Sequence, residues 1–594
     1  MRYGLILGLF LFFLSPVWGV ELDRSRYIAV DEIKAGMDAY CLTTYKGTEV
    51  EKFELEVLSV IKGIEPGKDA IIVQGLDERF IHTGPVAGCS GSPVYIEGRL
   101  AGALAFGWGY CKDPIYGVTP IEEMLRVGES KGGEEARGQM GFGFDWSKPI
   151  DMKEVYSQVK EGLQRQSGGM KGRAIPCPLV VSGLPSEACE ELDAALGGLG
   201  FMAVGGIGGG SAPSSGGVVN LEPGATVALP LVSGDIKMDA VGTVTDVVGD
   251  KVYAFGHNLL GYGPLDLPMA TGYIHTVVSS LSRSFKLGTS SEIVGALRRD
   301  ESTAIFGVLG EEAKTLPLSI TVERYNDAQT RHYDCEVALN KILTPSLFSS
   351  AVAGAVTMVG GFPPDNTLEY EVDLKLEDGE EIEFGNISTT VGMSDLVGEA
   401  VGAIALLLNN PYREVAPESA EIKVRVADRN IISHIWSADI SETRVKAGDR
   451  IGVSVVIEAV LAGKKAYSYE LSIPKELKPG KYQLIVTGGP GYVDFLRKAV
   501  PYRYTPENYD TLVESIKGAL AVKRDKLYCM FLLPSSGIVV ERAELPGLPD
   551  TKSLVLASQK RTLSAVTCQN WNEKTFDTGT VVVDQKVIAI TVEP

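Results

Sequence analysis

Along most of this chain apolar and polar positions alternate over short runs broken by glycine-rich turns, a pattern that predicts strands. Residues 53–60 and 70–74 are apolar or alternating, with turn chemistry around 63–68 between them. Residues 93–96, a turn at Glu97-Gly98-Arg99, and residues 100–106 read as a β-hairpin, followed by a helix over 120–127. Helical spacing with few breakers marks 151–166 and 186–196. From 221 the pattern is β again. Residues 241–248 and 251–255 form a hairpin turning at Gly249-Asp250, and strand-like runs continue to 345. Residues 420–426, 450–459 and 467–473 alternate like the strands of a β-sandwich. Thr505 and Pro506 open a helix to 521, and the C-terminus returns to strands. The apolar stretch 396–408, interrupted by Glu399, suits a buried helix.

Composition narrows this picture. The 594 residues exceed what one core organises, and 45% hydrophobic with 22% charged residues is the balance of a globular chain. A net charge of -20 argues against nucleic acid, which calls for basic patches. Arg2, the apolar run 5–14, and Pro16, Val17 and Gly19 before Val20 read as a cleaved secretory signal peptide, with an uncleaved anchor as the alternative. The chain is therefore expected to be exported. In that setting eight cysteines allow disulfides, and local spacing suggests Cys177 with Cys189 and Cys529 with Cys568. No C-x-x-C pair and only five histidines give a zinc site little support. Residues 205–217, rich in Gly and Ser, read as a linker; they lack the Lys-Ser/Thr ending of a P-loop.

The segment that carries chemistry is Gly88-Cys89-Ser90-Gly91-Ser92-Pro93. A serine hydroxyl needs a base for its proton and dipoles for the oxyanion. Flanking glycines let the backbone turn sharply, expose the hydroxyl and aim amides at one point, here those of Gly88 and Ser90. The bland alternative is a Ser/Gly turn between two strands. The pattern resembles the G-x-S-G-S-P element of chymotrypsin-like peptidases, and the hairpin after it follows that superfamily's plan. Gly107-Trp108-Gly109 then stands where the superfamily has the wall of its primary specificity pocket. Cys89 could instead be the nucleophile, but an oxidising compartment favours its pairing with Cys111 or Cys41.

Among the histidines, His257 in Tyr253-Ala254-Phe255-Gly256-His257 ends a strand ahead of a glycine-rich turn, a placement that suits a general base. His82, eight positions before Ser90, reads as a surface residue; His275, His332 and His434 read as structural. The serine and Gly-His elements together resemble the SpoIVB-type sporulation serine peptidases and their longer exported relatives, over residues 30–130 and 221–310. Gly117-Val118-Thr119-Pro120-Ile121-Glu122-Glu123-Met124-Leu125, Gly36-Met37 and residues 42–47 extend the likeness. In the sporulation enzymes histidine precedes serine, whereas here it follows, which implies permuted halves; triads of one geometry do occur in different chain orders. The resemblance offers Asp77 as the acidic member, with Asp266 as its rival, and either carboxylate could belong to a turn or the surface.

The resemblance thus implies a mainly β, multidomain chain with two chymotrypsin-like β-barrel halves in permuted order. The expected division is a signal peptide (1–19), the serine-bearing half (20–130), a helical insertion and Gly-rich linker (131–220) and the histidine-bearing half (221–345). An α+β connection (346–415), an Ig-like β-sandwich (416–500) and a C-terminal α+β region (501–594) complete it. The implied activity is hydrolysis of protein or peptide substrates by Ser90 and His257 without metal or organic cofactor, with self-processing at the linker as a variant. Peripheral association with the cell envelope fits the sandwich-like region. A non-catalytic envelope scaffold on a peptidase frame is the reading from another class.

Overall fold

Inward apolar positions, two residues apart, build the first unit. In the computed structural model, which describes residues 22–108, 110–129, 141–166, 174–205, 220–460, 463–535, 537–540, 542–545, 548–556 and 565–594, Phe53, Leu55 and Val57 point into a barrel while Lys52, Glu54 and Glu56 point out. The segment expected to be a signal peptide (1–19), Gly109 and nearly all of the Gly-rich stretch 205–217 lie outside the described residues. The barrel's elements are β1 (Asp38–Thr43), β2 (Glu51–Glu65), β3 (Lys68–Gly75), α1 (Glu78–Thr83), β4 (Val86–Ala87), β5 (Pro93–Ile96), β6 (Arg99–Gly107) and β7 (Ile115–Pro120). Six of these strands close on themselves in the order β1-β2-β3-β7-β6-β5. Phe53 and Phe80 stack at 4.6 Å inside, and Tyr116 closes the same cluster. The helix expected over 120–127 is a single turn, α2 (Ile121–Met124).

The second unit is one large sheet. It contains β8 (Cys177–Ser182), β9 (Phe201–Val204), β10 (Thr226–Gly234), β11 (Lys237–Val248), β12 (Lys251–Ala254), β13 (Gly263–Val278), β14 (Ser284–Glu301) and β15 (Ala304–Leu309). Five strands extend one edge: β16 (Thr315–Arg324), β17 (Arg331–Ala338), β18 (Thr367–Leu376), β19 (Glu381–Thr389) and β20 (Pro417–Ala427). Within it the pairings β10–β13, β13–β14, β14–β15, β15–β12, β12–β11 and β11–β10 run round a ring. The helices α3 (Met152–Gln166), α4 (Ser186–Leu196), α5 (Leu343–Thr357) and α6 (Ser394–Leu408) share one apolar core with this sheet. The stretch around Glu399 is indeed a buried helix, with that carboxylate taken up by Arg524 and the Tyr370 hydroxyl.

Two expectations need correction. The sandwich is not contained in 416–500: β20 pairs in parallel with β16 and belongs to the large sheet. Strands Ile432–Ile440, Arg450–Ala459 and Gly463–Ser472 instead face a second layer built largely from beyond 500, including Lys526–Leu532, Trp571–Asp577 and Gln585–Glu593. All eight cysteines are free. Cys529 and Cys568 pack into different apolar clusters, so the spacing that suggested a bridge joins residues with separate surroundings. Cys177 is buried on β8 with its thiol towards the Val241 carbonyl, while Cys189 sits on α4. Cys89 and Cys41 are buried thiols, and burial pushes both up from the ordinary cysteine range.

Candidate functional site

Ser90 sits in the loop between β4 and β5, and that loop is gripped from both units. β4 leaves the first barrel to pair in parallel with the start of β14, Val86 opposite Ser284 and Ala87 opposite Phe285. The chain must then reverse within a few residues, which Gly88 (φ 93°) and Gly91 (φ 94°) permit in left-handed conformations. At Gly91 a side chain is sterically impossible as packed: a Cβ there would lie 1.9 Å from the Thr243 carbonyl oxygen.

The second unit then fixes the loop by hydrogen bonds. The Thr243 amide donates to the Ser90 carbonyl at 2.9 Å, its hydroxyl to the Gly88 carbonyl at 2.9 Å, and the Thr245 hydroxyl to the Gly91 carbonyl at 2.7 Å. Beneath them Lys286, wholly buried, donates to the hydroxyls of Thr43 at 2.8 Å and Thr243 at 3.1 Å. Burial without a carboxylate partner holds its amine below the usual lysine range. The amides of Cys89, Gly91 and Ser92 are spent on the carbonyls of Val86, Leu104 and Cys89. Among the described residues the Ser90 amide has no hydrogen-bond partner, as an oxyanion donor awaiting a ligand requires.

His257 arrives from the far side of the interface. After β12 the chain turns through Phe255 (φ 67°) and Gly256 (φ 68°), the former a left-handed non-glycine and hence a strained residue. The Thr119 hydroxyl of the first barrel secures the Gly256 carbonyl at 2.6 Å. The ring then lies with Nε2 2.9 Å from Ser90 Oγ, across 167 residues of chain. Nδ1 lies 2.6 Å from the Asn258 carbonyl. A carbonyl can only accept, so Nδ1 carries the proton and Nε2 presents its lone pair to the serine hydroxyl. Burial holds the imidazole below its ordinary pKa, opposed by the backbone carbonyls of Asn258 and Ile175. The resting pair is thus a neutral acceptor facing a hydroxyl.

No carboxylate completes a triad among the described contacts of this ring. Asp77 caps α1, accepting from the Arg79 amide at 2.9 Å and pairing with its guanidinium, so it is not the partner of His257 in this structure. Asp266 is bound to Arg298 and the Lys314 amide. His82 is in the last turn of α1, His275 and His332 lie beside threonine hydroxyls, and His434 pairs with Asp584. A carboxylate that sequence reasoning missed, Asp300, holds the loop that follows His257. Its buried carboxylate accepts the amides of Leu259 at 2.7 Å, Leu260 at 2.5 Å and Gly261 at 2.7 Å. It thereby pins the loop whose Asn258 carbonyl sets the histidine tautomer. Burial raises it to about 6 against those three amides.

His257, Gly107 and Trp108 line a cleft of about 540 Å³ with Ile175; Gly109 lies outside the described residues. Trp108 is 40% exposed and meets Phe106 edge-on. Ser90 itself has no exposed surface. A buried serine hydroxyl facing a tautomer-fixed histidine beside an uncommitted amide is the set of groups that acyl transfer through a serine requires. Residues 21–125 match the family model SpoIVB peptidase S55, so the chain carries a domain of that serine peptidase family. The matched segment holds Ser90 and ends before His257. No curated protein and no solved structure matches the chain.

Proposed function

We propose that this protein is an exported serine endopeptidase in which Ser90 and His257 act as a dyad, the Asn258 carbonyl standing in for a triad acid. The observation that carries the reading is the 2.9 Å approach of His257 Nε2 to Ser90 Oγ. As Ser90 Oγ bonds to the peptide carbonyl carbon, its proton passes to Nε2, and the oxyanion is held by the Ser90 amide with that of Gly88. The imidazolium then gives the proton to the leaving amine as the C–N bond breaks. Water, deprotonated by Nε2, attacks the acyl carbon and releases the carboxylate product and Ser90. No step calls for a metal or organic cofactor. The two strand rings correspond to chymotrypsin-like halves in permuted order, Ser90 on the first and His257 on the second. Export rests on the apolar run 5–14 and its flanks.

A fluorophosphonate probe tests the dyad. The full chain is expected to label at one serine, and Ser90→Ala and His257→Ala to lose labelling; persistence of the label in folded Ser90→Ala overturns the assignment. The pH profile adds a second check. A base whose pKa is depressed by burial stays neutral below the ordinary histidine value, so the acid limb of kcat/KM should fall below about pH 6.5. A midpoint at or above that value counts against His257 as the base.

A further inference from the structure

The groove beside Ser90 already holds a piece of this chain. Ala174 forms an antiparallel bridge with Phe106. The Ile175 amide donates to the Ala105 carbonyl at 3.1 Å, and the Ile175 carbonyl accepts from Ser90 Oγ at 3.4 Å. The same carbonyl is a hydrogen-bonding neighbour of His257. Ile175 is 4% exposed and packs into the apolar core of the first barrel. Pro176 follows, and Cys177 then opens β8, which is anchored between β11 and β9. One bridge and one backbone hydrogen bond therefore lay Ala174 and Ile175 along β6 and across the Ser90–His257 pair, with Pro176 leading away.

We infer that residues 174–176 are a built-in occupant of the peptide site, a strap that keeps the peptidase latent and imitates the ligand it takes: an extended peptide with a branched aliphatic residue at the reacting position. The inference rests on the peptidase reading above. Three features make the strap an occupant rather than a substrate. Its carbonyl oxygen engages the serine hydroxyl, so it competes with Nε2 for the proton that catalysis must move. The bond after Ile175 is a tertiary amide to proline, whose ring crowds the leaving side and whose nitrogen has no N–H. And the strap covers its target: His257 lines the open cleft while Ser90 has no exposed surface. Backbone pairing to β6 supplies the hold, as in other cases of strand addition to a sheet edge.

The test compares fluorophosphonate labelling of the full wild-type chain with Ile175→Asp, which sets a charge in the apolar seat, and with the milder Ile175→Ala. Labelling is expected to be at least about tenfold faster in Ile175→Asp and several-fold faster in Ile175→Ala, with melting curves showing that each is folded. Equal or slower labelling in a folded variant overturns the strap, whereas no labelling in any of the three overturns the peptidase reading beneath it. Hydrogen exchange on Ser90→Ala reads the strap without catalysis. The Ile175 amide should exchange at least about a hundredfold more slowly than in an unstructured peptide, and exchange at the free rate overturns the inference. For the ligand class, Ile175→Ala should cleave peptide anilides after Ile or Val at least about tenfold faster than after Lys or Glu; the opposite order overturns that assignment.

Discussion

The two halves of the site are built by different means. The serine loop is held at one amide by its own barrel, Gly91 on the Leu104 carbonyl, and otherwise from outside it: Thr243 and Thr245 of the second unit grip the Gly88–Gly91 backbone, and Lys286 of the same unit braces the Thr243 and Thr43 hydroxyls beneath them. The histidine loop is held mainly from within, by the Asp300 carboxylate on β14 of its own sheet. The nucleophile's geometry is therefore a property of the interface, whereas the base's is a property of one sheet. Contact between the halves is what brings His257 to Ser90, and it leaves no room for a side chain at Gly91.

Gly91→Ala tests that asymmetry most severely. Its Cβ would strike the Thr243 carbonyl from a left-handed backbone, so the halves must part or the loop must refold. The expected cost is about 3–5 kcal/mol of stability with loss of labelling at Ser90. At the histidine turn the corresponding Gly256→Ala meets the methyl carbons of Ala103 at 3.0 Å and Ala105 at 3.2 Å and the Leu104 carbonyl oxygen at 3.3 Å, all farther off than the 1.9 Å clash at Gly91. It should cost about 1–2 kcal/mol, chiefly from the left-handed backbone. Thermal or denaturant melts of the two variants measure the difference. Equal losses would mean that the interface does not press harder on the serine side.

Asp300 comes next. Asp300→Ala leaves three amides without that acceptor, those of Leu259 and Leu260 buried, while Asp300→Asn keeps one oxygen for them. We expect kcat to fall on the order of a hundredfold in the alanine variant and less in the asparagine variant, as small misplacements of a catalytic group do. KM should change little and the acid limb of the pH profile should move, because His257 loses its fixed tautomer. A loss confined to stability, with kcat and the pH midpoint unchanged in the folded fraction, would reduce Asp300 to a structural brace. Linkage adds a sign. Its folded pKa, near 6, lies above the unfolded aspartate value, so its contribution is fully present below about pH 4 and is lost as pH rises through 6.

What the sequence made legible follows the same divide. Ser90 could be read because six consecutive residues and the hairpin after them carry its requirements locally. His257 was readable as a strand-end residue before a glycine turn, and the structure brings its ring to the serine. Asp300 was not, because Arg298-Arg299-Asp300-Glu301 looks like a solvated charge run and only the fold turns one carboxylate inward. The approach of Ala174 and Ile175 to β6 was equally hidden, since a single bridge leaves no periodic trace. Alternation found the sandwich strands but could not say that β20 joins the large sheet, since partner choice is not written in a strand's own pattern.

Asp77 marks the smallest effect expected at the active site and the sharpest contrast with Asp300. Family resemblance offers it as a triad acid, yet its carboxylate is committed to the first turn of α1 and to Arg79, on the serine-bearing unit. An N-cap aspartate with one partly exposed ion pair is worth about 1 kcal/mol. Asp77→Ala should therefore lower stability by about that much while leaving kcat, KM and the labelling rate within about twofold of wild type. A fall in kcat of a hundredfold or more, at unchanged fold, would instead mean that the working enzyme rearranges to bring Asp77 to His257. The base would then depend on the serine-bearing unit as much as the nucleophile depends on its neighbour, and the asymmetry between the halves would be a feature of the strapped state alone.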